Sequence, residues 1–134
     1  MKPLRIFVDA NILFSASRPG AGLSRLLKDA ATRGELVTSQ KALAEAQRNL
    51  AIKKPEWLPN LSVLLTDFFK ITVSESTVIA NLPPKDIPIL SAAIAESCSH
   101  LLTGDRKHFG SYYGHHLQGV KIVSPEQLDK ELFP

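Results

Sequence analysis

Four acidic side chains stand at positions from which carboxylates can meet. Asp9 directly follows a short apolar segment that is typical of a buried strand, and Asp105 follows another such segment after Gly104. Asp86 opens a helical pattern, and Glu45 lies inside another. Ligands of open α/β sheets bind beyond the carboxyl ends of the strands, so acids at that edge can converge. The other acidic residues fall mostly at helix flanks, helix ends or loops, and location therefore separates these four from the rest.

Carboxylates that converge in this way need a positive partner. Two of them about 4 Å apart repel each other by roughly 4 kcal/mol at an effective dielectric constant of about 20. The motifs contain no Lys or Arg that is an obvious internal counter-ion. Hard oxygen ligands suit Mg²⁺ or Mn²⁺, whereas zinc prefers closely spaced Cys and His, and this chain has 1 Cys and 4 scattered His. Metal ions held by carboxylates activate water and stabilise charge on a phosphate, so the pattern favours phosphodiester hydrolysis.

Each acid taken singly also has a purely structural explanation. Asp9 suits a loop cap and Asp86 a helix N-cap. Asp105 suits a turn, and Glu45 suits a solvated helix face. The functional interpretation therefore depends on the joint placement of the four residues.

Length and composition indicate one folded domain that covers residues 1–134. The hydrophobic fraction of 44% and the charged fraction of 22% are near the globular average, which argues against a disordered or fibrous chain. A net charge of +3 permits nucleic-acid binding but does not demonstrate it. Because we find neither an apolar run that could span a bilayer nor a signal peptide, we expect a cytoplasmic protein without membrane contact.

Short apolar segments alternate with amphipathic ones along the chain, which predicts a three-layer α/β/α domain with a mostly parallel central sheet. We expect the first strand, Leu4 to Val8, to run into a loop marked by Arg18-Pro19-Gly20, and a helix then to end near Gly34. The other predicted strands are Glu35 to Thr38, Lys70 to Val73, His100 to Thr103 and Val120 to Val123. The other predicted helices follow Ser39 or cover Trp57 to Phe69, Ile87 to Ser97 and Pro125 to Phe133, with a breaker at Asn81 to Pro84 and a capping box at Ser124 to Gln127.

Four segments carry motifs that occur together and in order over nearly the whole chain. The segments are IFVDANILFSA, LVTSQKALAEAQRNL, KDIPILSAAIAESCSHLLTGDRKHF and VKIVSPEQLDKEL. Their patterns are D-x-N-I-L, S-x-x-x-x-x-E, D-x-x-I-L-x-A-A and L-x-T-G-D-x-x-x-F. In these features the chain resembles the PIN-domain family, particularly its small prokaryotic members that are the toxins of toxin–antitoxin pairs. The resemblance implies a PIN-like fold and a metal-dependent ribonuclease.

The resemblance also implies roles for individual residues. The metal-binding and catalytic acids of the family correspond to Asp9, Glu45, Asp86 and Asp105. Asn11 looks like the residue that braces the first loop, and Thr103 looks like the polar neighbour of the last acid. An Asx-turn and a strand-end hydroxyl are the structural explanations of these two residues.

Basic residues follow the last acid directly. Arg106 and Lys107, with His108 after them, are expected to form a substrate-binding rim, because a polyanion needs positive charge to approach an acidic pit. A solvated turn would explain the same residues. The resemblance further implies an RNA substrate, a Mg²⁺ or Mn²⁺ cofactor, a cognate antitoxin whose C-terminal segment covers the acidic pit, and a homodimer.

Two other classes of protein also place an Asp after the first strand. Phosphatases of the haloacid-dehalogenase type need a second acid two residues later, where this chain has Asn11. Response-regulator receivers need paired acids after the first strand and a lysine after a late strand, and neither pattern occurs here. A catalytically silent PIN-fold module that binds RNA or protein remains the alternative, although the presence of all four acids argues against lost catalysis.

Overall fold

The computed structural model describes residues 3–73 and 86–134. The strands are β1 (Arg5–Val8), β2 (Glu35–Ser39), β3 (Phe69–Thr72), β4 (His100–Leu102), β5 (His116–Leu117) and β6 (Val120–Val123). The helices are α1 (Ala10–Ala16), α2 (Gly22–Ala31), α3 (Gln40–Lys53), α4 (Leu58–Phe68), α5 (Ile87–Ala95), α6 (Arg106–Phe109) and α7 (Pro125–Leu132). Two 3₁₀ turns are formed by Pro55–Trp57 and Gly110–Tyr112. The predicted breaker at Asn81 to Pro84 lies outside the described residues.

The strands form a six-stranded sheet in the order β3-β2-β1-β4-β6-β5. All neighbouring pairs are parallel except β5 with β6. From β1 the chain first proceeds to β2 and β3, and it then returns to β4 on the other side of β1. The carboxyl ends of β1 and β4 therefore flank a topological switch point, where open α/β sheets bind their ligands. The mostly parallel α/β sheet confirms the fold class predicted from the sequence.

The helices cover both faces of this sheet. Helices α1, α2, α3 and α4 pack against one another, whereas α5 packs against β2 and β4. Because parallel crossovers are right-handed, the reversal of direction after β3 puts α5 on the face opposite to the first four helices. The result is the predicted arrangement of three layers.

The core lies on both sides of the central strand. Ile6, Phe7 and Val8 of β1 have no solvent-exposed area, as expected for a parallel strand that helices cover on both faces. Helix α3 contributes one apolar face, which includes the buried Ala46 and Leu50. Within the described ranges, no helix combines the length and the apolar character that crossing a membrane would require.

The segment after β1 is a helix, and the loop predicted there is wrong. Helix α1 begins directly after Asp9 and buries Ala10, Ile12, Leu13 and Ala16. These residues have helical spacing, but the helix has only 7 residues and continues the apolar run of β1, so the change of period is hard to see in the sequence.

Two other short elements also differ from the prediction. Helix α6 replaces the turn expected after Asp105, and the two-residue strand β5 was not among the predicted strands. Elements this short have no measurable periodicity, and β5 exists because it pairs with β6. The capping box of α7 is confirmed, since Ser124 Oγ accepts from the Gln127 backbone N and Gln127 Oε1 accepts from the Ser124 backbone N.

Gly34 is expected to be intolerant of a side chain. A Cβ at this position would collide with the carbonyl oxygen and side chain of Leu4, whereas a Cβ at Gly22, the first residue of α2, would meet nothing within 4 Å. We expect Gly34→Ala to lower the free energy of unfolding by about 1–3 kcal/mol, the usual cost of overpacking. Gly22→Ala is the control and should be neutral or slightly stabilising. Urea unfolding measures both, and equal stabilities of the two variants would contradict the close approach.

Candidate active site

A cavity of about 260 Å³ contains all four acids singled out in the sequence. Asp9 and Asp105 enter it from the carboxyl ends of the neighbouring strands β1 and β4. Asp86 enters from the start of α5, and Glu45 enters from the second turn of α3. The fold thus gathers side chains from four separate parts of the chain.

Asp9 is the most enclosed member of this group, together with Asp86; each is 6% exposed. Asp9 is the N-cap of α1, and its Oδ1 accepts a hydrogen bond of 2.7 Å from the Ala10 backbone N. Its Oδ2 accepts a hydrogen bond of 2.9 Å from the Thr103 hydroxyl. Both carboxylate oxygens are therefore fixed in direction.

Burial raises the pKa of Asp9 to about 6. The hydrogen bonds from Thr103 and Ala10 lower this pKa, and the negative charges of Glu45 and Asp86 raise it. Burial and the two negative charges together outweigh the hydrogen bonds. The ionised form of Asp9 is therefore unfavourable when no cation is bound nearby. A nearby cation would remove that cost.

Asn11 and Thr103 connect the two strand ends at the switch point. Asn11 Oδ1 accepts from the Gly104 backbone N at 2.9 Å, and its Nδ2 lies 3.4 Å from both Asp9 Oδ2 and Thr103 Oγ1. Thr103 Oγ1 also accepts from the Asp105 backbone N at 3.1 Å. Asn11 lies in the first turn of α1, and from there these contacts connect the segment after β4 to Asp9.

His108 points between two of the acids. Its Nδ1 lies 2.9 Å from Asp86 Oδ2 and 2.9 Å from Asp105 Oδ2, although neither contact has the alignment of a hydrogen bond. The ligand atoms of the three side chains lie within 4.8 Å of one another. Sequence reasoning placed His108 on a basic rim and so missed this position. The signal was its spacing of three residues from Asp105, which brings the two onto one turn of α6.

The cations around the cavity also differ from expectation. Lys41 and Arg48 line it from α3, at four residues before and three residues after Glu45. Helical spacing puts both cations on the Glu45 face, where no obvious internal counter-ion was expected, although among the described residues neither forms an ion pair with an acid of the cavity. Arg106 and Lys107 are exposed on α6 and are not part of the cavity lining, and Arg106 Nη2 lies 3.9 Å from Glu126 Oε1.

Size alone does not identify the site. A larger cavity of about 460 Å³ lies at the amino ends of β2 and β3. Its charged lining residues are Lys28, Glu35, Asp67 and Lys70, which are mixed in sign. The smaller cavity at the switch point has four carboxylates and two cations in its lining, so its charge is negative overall, whereas the charges of the larger cavity balance.

The raised pKa of Asp9 predicts a pH-dependent stability. Protonated Asp9 contributes stability that is fully present below the ordinary value of 3.8 and is lost as the pH rises through about 6. Without divalent cations, the free energy of unfolding of Asp9→Asn relative to the wild type should therefore increase by about 2–3 kcal/mol from pH 4 to pH 7. Denaturant titrations across this range measure the difference. Asp129→Asn, on the exposed side of α7, is the control, and a difference for Asp9→Asn that does not change with pH would contradict the prediction.

Comparison with known proteins bears on the fold. No family model matches the chain, and no curated protein matches it in sequence. Among solved structures, the chain is similar to one chain in the crystal structure of VapBC2 from Rickettsia felis bound to a DNA fragment from their promoter. The TM-score is 0.65 at 20% sequence identity, over 90% of this chain and 98% of the other. Likeness at this identity establishes the fold alone, and the chain therefore has the PIN-like α/β fold that its motifs predicted.

Proposed function

We propose that this protein is a metal-dependent ribonuclease that hydrolyses phosphodiester bonds of RNA, and that it is the toxin of a toxin–antitoxin pair. The observation that carries the proposal is the shared cavity of Asp9, Glu45, Asp86 and Asp105 at the switch point of the sheet. A cavity with this much negative charge repels a nucleic acid unless a cation is bound in it.

The donor chemistry of the cavity fits Mg²⁺ or Mn²⁺. Carboxylate oxygens are the preferred ligands of both ions, and the desolvated Asp9 would gain from a cation. The imidazole of His108 adds a nitrogen donor beside Asp86 and Asp105 that Mn²⁺ accepts more readily than Mg²⁺. We assign the metal-binding role to the four acids, with His108 next to two of them.

Other residues of the chain would position the groups that react. Thr103 and Asn11 hold the Asp9 carboxylate and keep the two strand ends together. Lys41 and Arg48 line the same cavity and would attract the phosphate backbone of the substrate. A bound divalent cation would supply the activation of water and the stabilisation of charge on the phosphate. Arg106 and Lys107, which are exposed on α6, remain proposed as an outer binding rim.

The proposal of an antitoxin partner rests on the fold and on one neighbour. VapBC2, whose structure was solved with promoter DNA, is a toxin–antitoxin pair, and this chain shares its fold with a chain of that complex. We propose a cognate antitoxin that covers the acidic cavity. The homodimer, which the resemblance implies, and the cytoplasmic location, which was expected from the sequence, remain predictions.

Replacement of Asp9 tests the catalytic proposal. Asp9→Asn should reduce cleavage of RNA in Mg²⁺ or Mn²⁺ by at least about 100-fold, because it removes charge from the cation-binding group and leaves the fold intact. Cleavage of end-labelled RNA measures turnover, and calorimetry with Mn²⁺ measures binding. Asp129→Asn, which removes a carboxylate on α7, should cleave like the wild type.

Two results of that experiment would go against the catalytic proposal. Undiminished turnover of Asp9→Asn would eliminate the mechanism. Binding of Mn²⁺ and RNA by the wild type without any cleavage would instead support the catalytically silent module.

Growth of bacteria tests the toxin proposal. Expression of the wild-type chain alone should slow growth, and expression of Asp105→Asn to the same protein level should not, because the variant lacks one acid of the cavity. The Asp129→Asn variant should slow growth like the wild type. Equal toxicity of the wild type and Asp105→Asn would indicate an effect that does not depend on the cavity.

A further inference from the structure

A third cavity, of about 260 Å³, lies between α1, the start of α2 and the 3₁₀ turn that precedes α4. Phe14 and Trp57 both line it, with ring centroids 5.9 Å apart and planes at 61°. Both rings are partly buried, so one part of each packs on the core and another part meets the cavity. Arg18 lines the same cavity. We use the name aromatic–basic cleft for Phe14, Arg18, Trp57 and the two lysines over the rings, Lys53 and Lys54.

The lysines of the cleft lie over its aromatic rings. Lys53 Nζ is 5.9 Å from the centroid of Phe14, and Lys54 Nζ is 5.4 Å from the centroid of Trp57. In the part of the chain that the structure describes, none of Arg18, Lys53 and Lys54 forms an ion pair with a carboxylate. Glu56 is the neighbouring acid in the sequence, and these cations outnumber it. The cleft therefore keeps a net positive charge next to two partly exposed rings.

The cleft lies about one helical turn from the acidic cavity along α1. Helices α1 and α3 pack side by side, and both begin at the carboxyl edge of the sheet. On α1, Asn11 lines the acidic cavity and Phe14 lines the cleft, one turn further on. On α3, Glu45 and Lys53 are eight residues apart, which corresponds to about 12 Å along the axis. A single strand of RNA that lies along these two helices can thus contact both the acidic cavity and the cleft.

We propose that the aromatic–basic cleft binds single-stranded RNA next to the scissile bond, with one base stacked on Trp57 and the flanking phosphates held by Lys53, Lys54 and Arg18. Ring surface that accepts any base, combined with cations that track a backbone, is the chemistry by which proteins hold single strands without sequence preference. An apolar peptide would need the rings but not the unpaired cations. This inference rests on the proposed function, because it gives the nuclease a second contact with its substrate.

The chain offers a specific probe of the cleft, because Trp57 is its only tryptophan. A fluorescein-labelled 2′-O-methyl oligouridylate of about 12 nucleotides, in buffer with Ca²⁺ in place of Mg²⁺ or Mn²⁺, measures binding while a divalent cation can still offset the charge of the acidic cavity. Stacking should quench the fluorescence of Trp57 at the same concentrations at which the anisotropy of the label rises. Trp57→Ala should weaken binding by about tenfold or more, and Trp57→Phe should recover part of it because a ring is still present.

The lysines give a test that does not depend on a partly buried residue. Lys53→Ala with Lys54→Ala should weaken binding by about tenfold at low salt and reduce the dependence of affinity on salt concentration. Lys130→Ala, which removes an exposed cation of α7, is the matched control and should bind like the wild type.

Three outcomes would overturn the inference. If the oligouridylate binds without quenching Trp57 and without weakening in the lysine variants, the cleft is not the RNA site, although RNA binding elsewhere remains intact. If the oligouridylate does not bind at all, the RNA substrate of the proposed function fails as well. If an acidic copolymer of glutamate and tyrosine quenches Trp57 and the oligouridylate does not, the cleft receives a protein segment.

Discussion

The constraint on which this structure depends is the enclosure of negative charge at the centre of the sheet edge. Asp9 is desolvated and lies near two other acids, and hydrogen bonds from the Thr103 hydroxyl and the Ala10 backbone N offset part of the cost. Such an arrangement is unfavourable for folding and is retained at sites that have a use for it. The surrounding core must therefore contribute enough stability to hold the carboxylates together before a cation arrives.

The segments that hold these acids are the ones whose sequence signals are strongest. The fold class and the positions of Asp9 and Asp105 could be predicted because buried parallel strands are continuous apolar runs with clear ends. The approach of Glu45 and Asp86 to them required the sheet order as well, since the two acids belong to different crossovers. The sequence analysis did not predict that order, and the resemblance to PIN domains implied only that the four acids share one site.

Features that depend on side-chain direction could not be predicted with the same success. His108 was read as part of a basic run, but the single turn of α6 directs its ring towards Asp86. Lys41 and Arg48 were overlooked because a linear search for counter-ions ignores the helical period that aligns them with Glu45. Helix α1 was missed for a related reason. It continues the apolar run of β1, so the change from the strand period to the helix period is hard to see in the sequence.

Helix α3 shows how one element serves both the core and the site. Its Ala42, Ala46 and Leu50 are buried, and Glu45 and Arg48 on a neighbouring face reach the cavity. The small alanines let the helix approach the sheet closely, which brings the functional face nearer to Asp9. A larger residue at Ala46 would thus displace the site as well as the core.

The two-sided pairing of β1 has a consequence for how the site is lost. Amide groups of a strand bonded on both flanks and covered by helices become accessible to hydrogen exchange only when most of the molecule opens. Asp9 directly follows that strand, so Asp9 stays anchored to the core while peripheral elements such as β5 fray. Destabilising substitutions in distant parts of the core would then reduce the fraction of folded molecules. Each molecule that is folded would still keep all of its anchored carboxylates.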